Sequence, residues 1–184
     1  MKVSYCTTCG NRLWQLKQTL PENVKYLIPG EVELCILAYN DPTVEPYLNQ
    51  HYSEYIKDGR IKVRSHFEDR VFADGSRWSC GPIKNLSHEM GSGKILFNLD
   101  ADNFIDNSLE HLVNLKENEL AHNPPTLGIG HLGRIGVYRS LFDKVGGYRD
   151  VGRSDDGDFI SRCLNTGVRL VKLRCSVPPI DNNP

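Results

Sequence analysis

Apolar residues recur along the chain with two alternating spacings, one typical of strands and the other typical of helices. The pattern of apolar residues predicts strands at 3–6, 32–38, 61–64, 95–99, 134–138 and 168–173, and the nearly continuous apolar run at 32–38 predicts a strand buried on both faces. Apolar residues three or four positions apart predict helices at 12–20, 82–90, 108–120, 140–145 and 156–165. The pattern therefore alternates strand and helix over most of the chain.

This alternation predicts an α/β domain in which helices flank a mostly parallel central sheet. We expect residues 1–176 to form this single domain and residues 177–184, which are rich in Pro and Asn, to be a flexible tail. Such sheets bind ligands at the carboxyl ends of their strands. The segments that follow Cys6, Ala38 and Leu99 should therefore meet on one rim and form the site.

Composition and charge narrow the class of protein. With 184 residues and a net charge of -1, the chain can bury a core and has no electrostatic footprint for nucleic acid or an anionic membrane. We find no apolar run long enough for a transmembrane segment and no apolar stretch typical of a signal peptide. Six scattered cysteines fit reduced thiols, so we expect a cytoplasmic protein. Cys6 and Cys9 have CxxC spacing, but a structural zinc site needs two further ligands.

The strongest local signal is Asp100-Ala101-Asp102, directly after the apolar run 95–99. In extended backbone, residues two apart project to the same side, so the two carboxylates can face one point. Such hard oxygen ligands suit Mg²⁺ or Mn²⁺ bridging to a diphosphate. The alternative is a turn that carries two solvated aspartates.

A second acidic group, Asp155, Asp156 and Asp158, stands at the start of a predicted helix. One of these carboxylates could act as a general base that takes a proton from an acceptor hydroxyl. The alternative is helix capping, because the positive end of the helix dipole favours aspartate at this position. The residues by themselves leave both interpretations open.

Two other motifs do not support a site. Gly91-Ser92-Gly93-Lys94 is similar to the end of a P-loop, but His88 replaces the first glycine, Ile95 replaces the Ser or Thr, and a strand follows instead of a helix. None of the histidines shows HxH or HxxxH spacing, so we interpret them as surface or packing residues; they are His51, His66, His88, His111, His122 and His131.

The order of the segments resembles the family 2-type glycosyltransferases with the GT-A fold. The similar segments are the opening at 6–21, the second strand and its loop at 32–41, the helix, strand and DxD core at 82–103, and the acceptor-side strand, GGY motif and acidic helix start at 133–159. Each motif is weak alone, but together they are specific in order and spacing. The resemblance covers about residues 3–173.

The resemblance implies an enzyme that transfers a sugar from a nucleotide-diphosphate donor, usually a UDP-sugar, to a glycan or other hydroxyl-bearing acceptor, with Mn²⁺ or Mg²⁺ as cofactor. It implies inversion at the anomeric carbon. It assigns metal binding to Asp102 with Asp100, and catalysis to Asp156 with its neighbour Asp155. The implied donor-binding residues are Thr7, Thr8, Arg12, Tyr39, Asn40, Lys84, Asn85, Asp100 and Ala101.

The chain departs from the family pattern in three places. Ala38-Tyr39 stands where the family usually has an aspartate that contacts the base, although Asp41 could substitute. The acidic motif is Asp155-Asp156 instead of Glu-Asp, and no histidine after His131 supplies a further metal ligand. Two alternatives therefore stay open: a non-catalytic module that binds a nucleotide sugar or glycan, and a sugar-phosphate nucleotidylyltransferase, for which the first loop lacks glycines.

Overall fold

The computed structural model describes residues 2–72, 75–123 and 133–181. The strands are β1 (Val3–Cys9), β2 (Val32–Tyr39), β3 (Ile61–His66), β4 (Ile95–Asn98), β5 (Glu119–His122), β6 (Ile135–Tyr138) and β7 (Arg169–Lys172). The helices are α1 (Leu13–Asn23), α2 (Val44–His51), α3 (Ser53–Lys57), α4 (Cys80–Met90), α5 (Ser108–Leu112), α6 (Arg139–Val145) and α7 (Asp155–Leu164).

These strands form one sheet in the order β3-β2-β1-β4-β6-β5-β7. The pairs β1–β2, β2–β3, β1–β4 and β5–β7 are parallel, whereas β6 runs antiparallel to both β4 and β5. The prediction of a mostly parallel α/β sheet flanked by helices is thereby confirmed. β1 and β4 lie at the centre, so the loops at their carboxyl ends are adjacent.

Helices cover both faces of the sheet, which explains why β2 is buried along its whole length. On one face, Tyr5 and Ile36 pack with residues of α1, α2 and α5. On the other face, Leu37 packs against Ile83 of α4, and Leu96 packs with residues of α6 and α7. Parallel strands buried on both faces read as continuous apolar runs, as the sequence showed.

Cys6 and Cys9 of the CxxC segment lie in β1 and belong to the cores on opposite faces of the sheet. Both are buried free thiols, and burial raises the pKa of Cys9 to about 12. The segment therefore has the geometry of two separate packing residues and not of a metal or redox pair.

The predicted helix at 108–120 is wrong in its second half. Helix α5 ends at Leu112, and Glu119–His122 forms the buried strand β5 between β6 and β7. The residues 109, 112, 113 and 120 fit a helical spacing, but pairing with two neighbouring strands stabilises residue 120 in extended backbone. Helices α2 and α3 were not predicted, because α2 buries only Val44 and Leu48 and α3 buries no residue.

The segment after β7 returns to the loop that follows β4. Ser176 and Val177 donate backbone N–H bonds of 2.6 and 3.1 Å to Asp106 Oδ2, and Ile180 N donates to the Asp102 carbonyl at 2.8 Å. The structure describes residues 177–181 of the segment expected to be a tail. Within it, Val177 and Ile180 contact the loop that follows β4. No helix among the described residues is long and apolar enough to cross a membrane.

Candidate active site

A cavity of about 180 Å³ lies at the carboxyl ends of β1 and β4, on the rim where the strand order places the site. Four segments line it: the end of β1 with the loop before α1, the loop after β4, the start of α4, and the start of α7. The lining residues are Thr8, Arg12, Trp78, Cys80, Lys84, Asp100, Ala101, Asp102, Asp155 and Asp156.

Hydrogen bonds to its backbone hold the loop Asp100-Ala101-Asp102 in a tight turn. Thr7 Oγ1 donates to the carbonyl of Leu99 at 2.7 Å, and Thr19 Oγ1 donates to the carbonyl of Ala101 at 2.8 Å. Asn103 N donates to the carbonyl of Asp100 at 2.9 Å and closes the turn. Side chains from β1 and α1 therefore set the position of the two aspartates.

The two carboxylates of this loop differ in environment. Asp100 is half-buried, and its Oδ1 accepts a bond of 3.1 Å from Asn98 Nδ2. Asp102 is only 4% exposed, accepts a bond of 2.7 Å from Asn103 Nδ2, and lies 3.9 Å from Arg12 Nη1. Burial, followed by the nearby charge of Asp100, raises the pKa of Asp102 to about 6. The loop therefore concentrates negative charge where water is largely excluded.

Lys84 faces this loop from α4. It is 4% exposed, and its Nζ lies 2.8 Å from Asp155 Oδ2 and 2.6 Å from Asp156 Oδ1. Burial opposes the charged form of Lys84, but Asp100, Asp156 and Asp155 outweigh burial and hold its pKa well above the usual value. Lys84 is therefore a buried, ion-paired lysine and not a solvated surface lysine.

Asp155 and Asp156 form the start of α7, but they do not cap it. Ser154 occupies the N-cap position, and the described structure shows no side-chain capping bond there. Both carboxylates pair with Lys84 instead. Burial raises the pKa of Asp156 to about 6, with the Lys84 charge opposing this shift and the Asp100 and Asp155 charges adding to it.

Asp158 belongs to a different face of α7. Its Oδ2 accepts a bond of 2.8 Å from Arg162 Nε, one turn further along the helix, and it does not line the cavity. Residues two apart on a helix do not face each other, so Asp156 and Asp158 point in different directions. Asp158 is therefore a suitable control for the other two aspartates.

Four residues that the resemblance assigns to donor binding do not line the cavity. Thr7 holds the loop backbone, as described above, and the buried Tyr39 donates its hydroxyl to Glu68 Oε1 at 2.9 Å. Asn40 bonds through its amide to the backbone N and O of Glu68, both at 3.0 Å. Asn85 bonds in the same way to the backbone of Tyr148, both at 2.8 Å. Each of these side chains positions a loop around the site.

The loops after β1 and β2 are joined by Asp41, the residue that could replace the missing aspartate at position 38. One carboxylate oxygen accepts the N–H of Asn11 at 3.0 Å, and the other accepts the N–H and the hydroxyl of Thr43 at 3.0 and 2.6 Å. Its observed contacts are thus within the scaffold.

Sequence reasoning missed Trp78 and Cys80, which line the cavity on the segment that enters α4. The indole Nε1 of Trp78 donates to Cys80 Sγ at 3.2 Å, and the ring lies against Gly10, where a Cβ atom would meet Trp78 Cζ3 at 2.5 Å. Gly10, which follows β1, was the available signal of a close contact in the sequence. The sequence does not show that Trp78 makes this contact.

The charges of the cavity fit a divalent cation. Its lining carries four carboxylates against two cationic side chains. A nucleotide diphosphate is itself an anion, so this acidic surface would repel it unless a cation lay between them. Asp100 and Asp102 are hard oxygen ligands of the type that Mn²⁺ and Mg²⁺ take. Within the described ranges no group of three acidic, His or Cys side chains could hold a metal, and His131 lies outside them.

Solved structures of similar fold are known. A mannosyltransferase, PcManGT from Pyrobaculum calidifontis in complex with GDP-Man and Mn²⁺, superposes with a TM-score of 0.73 at 15% identity, over 99% of this chain and 58% of that one. TarS from S. aureus in complex with UDP-GlcNAc gives 0.70 at 12% identity, over 95% and 57%. GalNAc-T7 with UDP, GalNAc and Mn²⁺ gives 0.65 at 14% identity, over 94% and 42%.

These similarities define the fold of the chain as the GT-A fold. The chain spans a little over half the length of the first two of these proteins and less than half of the third. No protein-family model and no curated protein sequence matches it significantly.

Proposed function

We propose that the chain is the catalytic domain of a glycosyltransferase that moves a sugar from a nucleotide-diphosphate donor, a UDP-sugar in the first instance, to an acceptor hydroxyl. One observation carries the proposal: the carboxylates of the 100–102 loop and those of Asp155 and Asp156 face a single cavity on the rim of the sheet. Proteins of the same fold have been solved with nucleotide sugars or with a nucleotide and Mn²⁺, which supports this choice.

Asp102 and Asp100 would hold Mn²⁺ or Mg²⁺, because they are the two carboxylates on the tight turn of the central loop. A bound ion of this kind supplies a positive charge that stabilises the negative charge developing on the departing diphosphate. Arg12 and Thr8 also line the cavity and offer a guanidinium and a hydroxyl to the donor. Ala101 contributes its carbonyl to the loop structure and a small side chain to the lining.

Asp156 is the base in this proposal. Its side chain is 23% exposed, whereas that of Asp155 is 6% exposed, so Asp156 is the carboxylate that an acceptor can reach. It takes the proton of the acceptor hydroxyl while that oxygen attacks the anomeric carbon and the diphosphate leaves. A single displacement of this kind inverts the configuration of the anomeric carbon.

Calorimetry of UDP and GDP binding, with and without Mn²⁺, tests the cation-dependent site. We expect Mn²⁺ to tighten binding at least tenfold in the wild type and in D158N, and to have little effect in D102N. Similar affinity with and without Mn²⁺ in the wild type would contradict the proposal.

A panel of UDP- and GDP-sugars with hydroxyl-bearing acceptors then separates the functions. Release of nucleoside diphosphate with transfer of the sugar supports the glycosyltransferase. Binding of donor without turnover would instead indicate a non-catalytic binding module, and formation of a nucleotide sugar from a sugar phosphate would indicate a nucleotidylyltransferase.

A further inference from the structure

The ammonium of Lys84 joins two helices at the wall of the cavity. We propose that Lys84 is a positioning residue for Asp156 in sugar transfer, and not a ligand of the donor; this role rests on the proposed function. It differs from the role that the sequence resemblance implies, in which Lys84 contacts the nucleotide.

The contacts of the ammonium carry the first step. An ammonium has three N–H donors, and two of the directions around Nζ lead to Asp155 Oδ2 and Asp156 Oδ1 at 2.8 and 2.6 Å. The ammonium also lies over the ring of Tyr148, whose centroid is 5.1 Å from Nζ. Two carboxylates and an aromatic ring of the protein therefore already contact the charge with which a donor phosphate would pair.

The backbone of α4 holds Lys84 rigidly. Its carbonyl accepts bonds of 2.7 Å from both Ser87 Oγ and His88 Nδ1, and the buried His88 ring stacks on Phe142 at 4.9 Å. Asn85, the next residue, binds both the N–H and the carbonyl of Tyr148. The lysine and the aromatic ring that covers it thus belong to one connected unit.

The beginning of α4 also packs closely on the segment that leads to α7. A Cβ atom at Gly81 would overlap the carbonyl oxygen of Arg149, and Ser79 Oγ donates to Asp150 Oδ1 at 2.7 Å. Because the two segments are in direct contact, the distance from Lys84 to the start of α7 is set by packing. Because its helix is packed against this segment, Lys84 can hold the Asp156 carboxylate in a fixed position.

The two carboxylates that share the ammonium are not equivalent. Asp155 is almost fully buried and serves as a fixed partner, whereas Asp156 is partly exposed to the cavity. Lys84 contacts Oδ1 of Asp156, and the described residues provide no hydrogen bond to its Oδ2. Lys84 thus orients Asp156 through one oxygen and leaves the other for the acceptor hydroxyl.

The charge balance gives the lysine a second effect. Two ionised carboxylates next to each other would repel, and Asp100 adds a third negative charge nearby. The ammonium that Asp155 and Asp156 share reduces this repulsion, opposes the rise in the pKa of Asp156, and still leaves the pair with a net negative charge. A base needs this ionised form before it can accept a proton.

A double-mutant cycle tests the role, with K84M, D156N and K84M/D156N measured for turnover and for donor affinity by calorimetry with Mn²⁺. We expect K84M to lower kcat by about 10²-fold or more and to change donor Kd and KM by less than about threefold. In the D156N background, loss of Lys84 should change residual turnover by less than about threefold, because the group it positions is absent. K25M, which removes a surface lysine paired with Glu22, is the matched control.

Opposite results would overturn the role. A tenfold weaker donor affinity in K84M with kcat retained would make Lys84 a donor ligand, and multiplicative losses in the double variant would make it independent of Asp156. If K84M fails to fold, donor affinity is compared between D156N and K84M/D156N. Weaker donor binding in the double variant would contradict the positioning role of Lys84. A wild type without turnover refutes the proposed function and this role together, whereas an active wild type with donor-defective K84M refutes this role alone.

Discussion

Gly133 lies directly against the carboxylate of Asp100, so closely that a Cβ atom at position 133 would overlap Asp100 Oδ2. The Gly133 carbonyl accepts a bond of 2.7 Å from Asn98 Nδ2, and the same amide nitrogen donates to Asp100 Oδ1 at 3.1 Å. The start of the segment that leads into β6 therefore forms one wall of the site loop, and a Cβ atom at position 133 would force the Asp100 carboxylate to shift.

Gly133→Ala should displace Asp100 and weaken the Mn²⁺-dependent part of nucleotide binding by tenfold or more. The crowding should also cost about 1–3 kcal/mol of folding free energy. Calorimetry and thermal melts measure the two effects.

The matched control is Gly157→Ala, since a Cβ at Gly157 in α7 meets no atom within 4 Å. That variant should keep binding and gain up to about 1 kcal/mol, because alanine favours helix. If Gly133→Ala binds nucleotide with the same Mn²⁺ dependence as the wild type, the position of Asp100 does not control the cation-dependent site, which contradicts the prediction.

Asp156→Asn should lower turnover by about 10²–10⁴-fold, the usual contribution of a general base, while donor and metal affinity stay near the wild-type values. Turnover and calorimetry on the same protein make this distinction. Asp158→Asn should stay active, because Asp158 pairs with Arg162 outside the cavity. An inactive Asp158→Asn with an active Asp156→Asn would move the catalytic role by two residues.

Glu33 lies at the end of the sheet remote from the site, and it should make the free energy of unfolding depend on pH. Burial would raise the pKa of this carboxyl, but bonds from Lys2, Ser4, Ser92 and Lys62 outweigh it and lower the pKa to about 2. A lowered folded-state pKa means that the stabilisation is complete above about pH 4.5 and is lost as the pH falls toward 2. The contribution is up to about 3 kcal/mol.

The check is urea unfolding of the wild type and Glu33→Gln between pH 2 and 7. The wild type should lose stability more steeply with acid than the variant, and the two curves should converge at low pH. Parallel curves would mean that Glu33 has the same pKa in the folded and unfolded states.

Local patterns predicted most of the fold because β1, β2 and β4 are buried on both faces and α4 carries regular apolar spacing. They failed where neighbours decide the conformation. Residue 120 fits a helix by spacing, yet it pairs with Val137 and Leu170 in the sheet. Helix α3 buries no residue, so it left no periodic signal to find.

The sequence by itself also predicted which carboxylates line the cavity: those after a buried strand, and those where a helix begins. Both features consist of residues that are adjacent in the chain, so the sequence pattern alone can reveal them. What only the tertiary structure decided is which side chains meet. Lys84 pairs with carboxylates 71 and 72 residues away, whereas Tyr39 bonds to the Glu68 carboxylate and Asn85 to the backbone of Tyr148, and neither lines the cavity. Such contacts depend on the packing of α4 against α7 and of β1 between β2 and β4, and no spacing along the chain records that packing.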